Sequence, residues 1–167
     1  MKANVFIAAL MFLCFGCTSQ QSEQLTQQQR DQIKNEVKVV DDSIFAKAER
    51  LDIGGTIQYY WDSPEFVAYN PDGSRSDFQA WKKLLGWFAD SVSAFTVATV
   101  RDEFPVVTKD LVIYVWSGND ELTLKSGDKI KFDPDAQTIV FRKVDDKWKI
   151  VYLHESATIT TQKAGKK

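Results

Sequence analysis

The single histidine of this 167-residue chain, His154, lies near the end of a segment in which apolar and polar residues alternate. An imidazole titrates near neutral pH, so His154 could serve as a general base or a hydrogen-bond donor. Strand alternation predicts one shared face, and that face runs from apolar to polar: Trp148, Ile150, Tyr152, His154 and Ser156. The alternative, which we favour, is that His154 and Ser156 only hydrogen-bond a neighbouring strand or helix end.

Acid/base chemistry would also need a carboxylate beside the histidine. Asp42 lies one residue away from the apolar stripe of the first predicted helix, so it could border a pocket and exchange a proton with a substrate. A solvated helix face is the simpler explanation of Asp41 and Asp42. A charge cluster at a strand end explains Asp102 and Glu103, which follow Arg101.

Aromatic residues make up 13% of the chain, more than packing a core of this size requires. Ligand pockets are mostly apolar and aromatic, with a few polar groups. The residues expected to line such a pocket are Tyr60, Tyr69, Trp81, Tyr114, His154 and Ser156. Trp116 is instead expected on the outer face of the sheet.

Several classes of function are excluded. One histidine and no cysteine beyond Cys17 leave only carboxylates as metal ligands, so no metal site is expected. Phosphate-binding glycine motifs and a nucleophile elbow are missing, and no cofactor is expected. The net charge of −2, with no basic block, argues against nucleic acid.

Three helices are predicted to precede the sheet. A polar, glutamine-rich stretch over residues 17–29 should act as a tether, ending at a capping box formed by Thr26 and Gln29. The first helix carries an apolar stripe at helical spacing, namely Ile33, Val37, Val40, Ile44, Ala48 and Leu51. A weaker helix should run from about Asp52 to Tyr60, and Ser76 and Gln79 should cap a third.

The second half of the chain alternates with the period of strands. Strands are predicted at Phe66–Tyr69, Val92–Glu103, Asp110–Lys125, Lys129–Lys143 and Lys147–Thr158. Helices and strands are therefore segregated along the chain, which indicates an α+β fold with three helices packed on a strongly curved, mostly antiparallel sheet. An open cone would lie between them, and residues 159–167 should form a disordered basic tail.

The segment Phe141–Ser156, FRKVDDKWKIVYLHES, resembles the closing hairpin of SnoaL-like members of the nuclear transport factor 2-like superfamily. Tyr69–Gly73 and the helix after Asp77 fit the same pattern, and the resemblance defines a domain over residues 30–158. It implies a cone-shaped fold and homodimers that pack through the sheet. The superfamily includes isomerases, dehydratases, hydrolases and binding domains, so it does not specify an activity.

Residues 1–16 have the features of an export signal, since Lys2 precedes an apolar run and Gly16 precedes Cys17. The run from Ala3 to Phe15 is too short to span a membrane. The segment resembles a bacterial lipoprotein signal, which implies that Cys17 is acylated and attached to the lipid bilayer. A lipid-anchored protein of the bacterial cell envelope, facing the periplasm or the exterior, is therefore expected.

These features together favour a non-catalytic envelope domain whose cone binds a small, largely apolar ligand or a protein partner. A cofactor-free isomerase, dehydratase or hydrolase, using His154 and a carboxylate such as Asp42, is one alternative. The other is a structural, dimeric assembly subunit.

Overall fold

A computed structural model describes residues 24–165 of the chain. The predicted signal, Cys17 and most of the predicted tether lie outside these residues. Among the residues described, no helix has both the length and the apolar character needed to cross a membrane.

Three helices precede the long strands. Helix α1 (Gln27–Glu49) begins at the predicted capping box, in which Thr26 and Gln29 hydrogen-bond each other's backbone N–H groups. Helix α2 (Ile53–Ile57) is one short turn capped by Asp52, and it ends earlier than predicted. Helix α3 (Phe78–Ser91) is capped by Asp77, whose carboxylate accepts from the N–H of Ala80 at 2.8 Å. The capping box predicted at Ser76 is therefore wrong by one residue.

Six strands form one sheet: β1 (Val67–Tyr69), β2 (Arg75–Ser76), β3 (Val92–Val107), β4 (Leu111–Leu124), β5 (Lys129–Val144) and β6 (Lys147–Gln162). Their order is β2-β1-β6-β5-β4-β3, and every neighbouring pair is antiparallel except β1 and β6. The fold is thus α+β, as predicted. The predicted disordered tail is corrected at its start, because residues 159–162 continue β6 and pair with residues 129–132 of β5.

A β-bulge in β6 decides which of its side chains face the helices. Val140 pairs with Tyr152 and Phe141 pairs with Ile150, so Val151 is an extra residue in the ladder. One inserted residue moves every later side chain to the opposite face. Trp148 and Ile150 are buried before the bulge, whereas Leu153 is the buried residue after it.

The helices and the inner face of the sheet share one hydrophobic core, with a smaller cluster around Val92, Phe95 and Leu122. Trp116 is completely buried in this core, where its ring contacts that of Phe45 and its indole N–H donates to the Thr99 hydroxyl at 2.8 Å. The expectation that Trp116 lies on the outer face of the sheet is therefore wrong.

Candidate ligand-binding cavity

A cavity of about 490 Å³ lies between the helices and the inner face of the sheet. Its wall is mostly aliphatic and aromatic, and its side chains come from all three helices and from β3, β4, β5 and β6. The apolar members include Ile44, Phe45, Ile53, Tyr60, Trp81, Leu85, Phe88, Phe95, Leu122, Phe132, Ile139, Ile150 and Leu153. This volume and composition are typical of sites for small, largely apolar molecules.

The polar part of the wall is acidic. Four carboxylates line the cavity, namely Asp41, Asp72, Asp120 and Glu155, together with the neutral polar residues Thr56, Asn70, Ser74 and Gln137. None of the lining residues, within the described part of the chain, is a lysine, arginine or histidine. The cavity therefore combines several carboxylates with no basic side chain in its wall.

Asp41 is buried in α1, with 2% of its surface exposed. Its Oδ2 accepts a hydrogen bond from the Tyr114 hydroxyl at 2.9 Å, and the ammonium of Lys38 is 3.7 Å away. Burial raises the pKa of Asp41 to about 6, although the hydrogen bond and Lys38 act in the opposite direction. Burial, followed by the charge of Asp41, also raises the pKa of Tyr114.

Three further acids come from three neighbouring strands: Asp120 of β4, Asp135 of β5 and Glu155 of β6. Burial, and then the charge of Asp135, raises the pKa of Asp120 to about 7. The pKa of Glu155 rises to about 8 because of burial first and the charges of Asp135 and Asp120 second. Burial raises the pKa of Asp135 as well. Carboxyl groups whose pKa values are raised in this way are typical of functional sites.

Hydrogen bonds satisfy this acid cluster only in part. Gln137 lies opposite Glu155 in the ladder and donates from Nε2 to Oδ2 of Asp135 at 3.1 Å. The Oδ1 atoms of Asp120 and Asp135 are buried without a hydrogen-bond partner among the described residues. Buried polar atoms are normally paired, so these two oxygens require an explanation.

Tyr60 and Trp81 form an aromatic part of the wall, with ring centroids 5.4 Å apart. Burial, followed by the charge of Asp41, raises the pKa of Tyr60. The indole N–H of Trp81 acts to lower the pKa of Tyr60, against the effect of burial. It nevertheless has no hydrogen-bond partner among the described residues. The aromatic wall thus carries one more polar atom that is not fully satisfied.

The structure separates the residues that the sequence grouped in one pocket. Tyr60 and Trp81 line the cavity, whereas Tyr114 lies behind its wall and reaches it only through the hydrogen bond to Asp41. Asp42 is exposed and pairs with Lys38 at 2.7 Å. The assignment of Asp42 to the site is therefore corrected by one residue, because Asp41 is the carboxylate that faces inward.

His154, Ser156 and Tyr69 do not line the cavity, which corrects their sequence-based assignment. His154 and Ser156 are exposed, and the ring of Tyr69 lies 6.1 Å from that of His154. The bulge at Val151 is the reason, because it turns Leu153 and Glu155 inward and therefore His154 and Ser156 outward. The inferred acid/base role of His154 in the cavity has no geometric basis.

Asp102 and Glu103, the other acids considered from the sequence, make ion pairs outside the cavity wall. Asp102 pairs with Lys38 at 3.1 Å, and Glu103 pairs with Arg101. No group of three acidic, histidine or cysteine side chains in the described residues is arranged to hold a metal ion.

Two of the cavity acids could have been found from the sequence. Asp120 continues the inward alternation of β4, in which Val112, Tyr114, Trp116, Gly118 and Leu122 are the other members. Asp41 falls at helical spacing between Val37 and Ile44. Glu155 and Asp135 could not, because each follows an irregularity in strand pairing that the sequence does not mark.

No protein-family model matches the sequence, and no curated protein matches it significantly. Solved structures do match. A proposed dehydratase of the NTF2-like family from Streptomyces avermitilis has a TM-score of 0.66 at 15% identity, over 77% of this chain and 98% of that chain. An NTF2-like superfamily protein from Salmonella enterica has a TM-score of 0.64 at 16% identity, over 76% and 92%. The fold is the nuclear transport factor 2-like fold.

A third structure with this nuclear transport factor 2-like fold is a hexachlorocyclohexane dehydrochlorinase from Novosphingobium barchaimii. It has a TM-score of 0.64 at 13% identity, over 80% of this chain and 92% of that chain. At these identities the likeness establishes the fold and not the chemistry. Function must therefore be argued from the cavity itself.

Proposed function

We propose that this protein binds a small, largely apolar molecule in its cavity and does not transform it. The observation that carries the proposal is the cavity of about 490 Å³ with its apolar and aromatic wall. Burying the surface of an apolar ligand against such a wall provides the driving force for binding. The unpaired polar atoms at Asp120 and Trp81 would then select and orient the ligand.

The arrangement of the acids supports binding rather than catalysis. A general base acts best when a second group orients it and its pKa lies near the working pH. Asp41 has such an orienting partner in Tyr114, but the described residues place no histidine, lysine or arginine in the wall to complete an acid/base pair with it. Asp120 and Glu155 face the cavity without an orienting histidine, since His154 is on the other side of β6.

A direct test uses the neutral, apolar dye Nile red and a variant that fills the cavity. Ala48 lines the cavity from α1, so Ala48→Trp should abolish the fluorescence increase that the wild-type protein produces. Ala46 is two residues away on the opposite side of the helix and does not line the cavity, so Ala46→Trp is the matched control. Equal dye binding by the wild type and Ala48→Trp would contradict the proposal.

Acid/base catalysis by the same cavity is the second candidate. It is favoured by two wall carboxylates, Asp120 and Glu155, whose pKa values are raised to about 7 and about 8. The dehydratase and dehydrochlorinase among the similar structures have the same fold. Exchange of an enolisable proton in deuterated water that disappears in Glu155→Gln would support catalysis, and exchange unchanged by the variant would exclude this role for Glu155.

We further propose that acylated Cys17 anchors the domain to a lipid bilayer in the bacterial cell envelope, on the periplasmic or exterior side. The support is the signal-like sequence of residues 1–17. Radiolabelled palmitate should label the wild-type protein and not Cys17→Ser. Labelling of the variant would contradict this proposal.

The SnoaL-like assignment, a strongly curved cone and a homodimer through the sheet also remain proposals. Curvature is supported by register shifts in the pairings of β3, β4, β5 and β6, because bulges bend and twist strands. A structural, dimeric assembly role requires the same dimer. Light scattering should then give twice the monomer mass, and a monomer at high concentration would contradict both dimer and assembly role.

A further inference from the structure

The distribution of charge around the cavity identifies the kind of ligand that it can hold. Asp41, Asp120 and Glu155 line the wall, and Asp135 lies beside Asp120 and Glu155 on the strand between theirs. No basic side chain contributes to the wall in the part of the chain that the structure describes. A ligand with a carboxylate or a phosphate would be repelled by this cluster.

Three lysines on the elements that carry these acids form ion pairs with other carboxylates. Lys38 pairs with Asp42 at 2.7 Å and Asp102 at 3.1 Å, in addition to its longer contact with Asp41. Lys129 and Lys131, on β5, pair with Glu121 at 2.6 and 3.2 Å. Glu121 is not part of the cavity wall, so these lysines do not neutralise the acids within it.

Unpartnered oxygens are a second, independent feature that favours a positively charged ligand. Asp135 is 1% exposed, and its Oδ1 has no hydrogen-bond partner among the described residues. It lies two residues before Gln137, which lines the cavity, so both side chains are on the cavity side of β5. Asp120, which lines the cavity directly, also has an unpartnered Oδ1. Both oxygens can accept hydrogen bonds, and neither has a donor within residues 24–165.

The apolar wall indicates what carries the positive charge. No group of three potential ligands is arranged to hold a metal ion in the described residues, so a bare metal cation does not fit. The rings of Tyr60, Trp81, Phe88, Phe95 and Phe132 line the same cavity. Aromatic faces attract organic ammonium groups and also bury an apolar body.

We propose that the cavity selects an organic cation, namely an apolar molecule with one protonated amine, and that the carboxylates of Asp120 and Glu155, which line the wall, receive the ammonium group. The proposal rests on the proposed binding function and adds the class of ligand to it. Hydrogen bonds from an ammonium group to carboxylates are charge-assisted and stronger than neutral ones.

Three rigid probes of nearly equal shape test the charge preference: 1-adamantanemethylamine, 1-adamantanemethanol and 1-adamantaneacetic acid. Displacement of Nile red at pH 8 should show that the amine binds at least about tenfold more tightly than the alcohol, given the strength of hydrogen bonds to charged groups. The acid should not displace the dye. An alcohol that binds as tightly as the amine, or an acid that binds more tightly than either, would overturn the proposal.

Variants show which carboxylates produce the preference for the amine over the alcohol. Asp120→Asn combined with Glu155→Gln should remove the preference for the amine and leave binding of the alcohol unchanged. Glu121→Gln, one residue from Asp120 but outside the cavity wall, should keep the preference. A preference that survives in the double variant would contradict the proposal.

The same displacement assay can be repeated at several pH values with the wild-type protein, so that the result does not depend on whether a variant folds. The titratable groups that face the cluster are Asp120, Asp135 and Glu155 themselves, together with Asp41 and Tyr60 from the helical side and Asp72 from the loop after β1. Their carboxyl groups gain protons as the pH falls, so the preference for the amine should shrink between pH 8 and pH 5.5. A preference independent of pH would contradict the proposal.

The same assay separates this proposal from the function on which it rests. If Nile red binds and none of the adamantane probes displaces it, the organic-cation proposal fails and the binding function stands. If Nile red does not bind to the wild-type protein, both fail.

Discussion

Asp120 and Glu121 are neighbours in β4, yet the two faces of the sheet give them opposite properties. Glu121 pairs with Lys129 and Lys131, and the hydrogen bonds from these lysines lower its pKa. Asp120 faces the cavity, where burial raises its pKa to about 7 and one of its oxygens has no hydrogen-bond partner in the described part of the chain. Two similar carboxylates thus differ because strand alternation assigns them to different faces.

The same contrast recurs in α1. Asp42 is exposed and bound by Lys38, whereas Asp41 is buried and its pKa is raised to about 6. Unpaired carboxylates in an apolar cavity oppose folding when they are ionised. Sites that keep such a destabilising arrangement of charges are usually functional. The cavity face is therefore a better candidate for a functional site than the outer face.

The largest expected effect is a loss of stability as the pH rises. Asp41, Asp120 and Glu155 have folded pKa values of about 6, 7 and 8, all above their ordinary values of 3.8 and 4.5. The folded state therefore binds more protons than the unfolded state between these limits, and stability falls through that window. Urea unfolding should give a free energy that is lower by several kcal/mol at pH 8.5 than at pH 5.

An unfolding free energy that rises from pH 5 to pH 8.5 would contradict the difference between the acids of the cavity face and those of the outer face. The acids outside the cavity do not produce the same slope, because the pKa values of Glu36, Glu121 and Asp128 are lowered. Their contributions are lost only at lower pH, as the carboxylates become protonated.

Removing one interior charge should give the next largest effect. Glu155→Gln keeps the size of the side chain and removes the ionisation that burial opposes, so it should stabilise the protein by about 2 kcal/mol at pH 8.5. It should have little effect at pH 5, where the carboxyl group of Glu155 is protonated in the folded state. Denaturant unfolding at both pH values checks this, and destabilisation at pH 8.5 would show that Glu155 has a partner.

A smaller effect is expected in α1. Asp41→Ala deprives the buried Tyr114 hydroxyl of its acceptor and should cost about 1–2 kcal/mol at pH 5, where the charge of Asp41 matters little. Asp42→Ala is the matched control on the exposed side and should change stability by less than about 0.5 kcal/mol. Equal losses in thermal or urea unfolding would remove the distinction between the two acids.

The smallest effect is expected on the outer face. Glu121→Gln breaks exposed ion pairs with Lys129 and Lys131, which contribute little to stability. The melting temperature should decrease slightly at low salt. The difference between variant and wild type should vanish in 0.5 M NaCl, because dissolved ions screen the interaction between exposed charges. A large or salt-independent decrease would place Glu121 in a buried network.

Periodicity predicted the α+β order of elements, the cap at Thr26 and the long antiparallel strands, because each depends on local sequence. It also placed Tyr60 and Trp81 near a pocket. It missed Glu155 in the cavity wall and the neighbouring buried Asp135 because side-chain direction in β5 and β6 depends on bulges, such as the one at Val151, which arise from pairing with the neighbouring strand. The sequence-based hypothesis placed His154 in the pocket, whereas it lies on the opposite face of β6.

Asp120 and Glu155 line a cavity whose wall contains no basic side chain among the described residues, whereas Glu121 on the outer face pairs with two lysines. The most direct test is a carbon-detected NMR titration of the side-chain carboxyl groups in the wild-type protein. We expect Glu155 to titrate near 8 and Glu121 to titrate below the ordinary glutamate pKa of 4.5. A Glu155 that titrates at or below 4.5 would contradict the account.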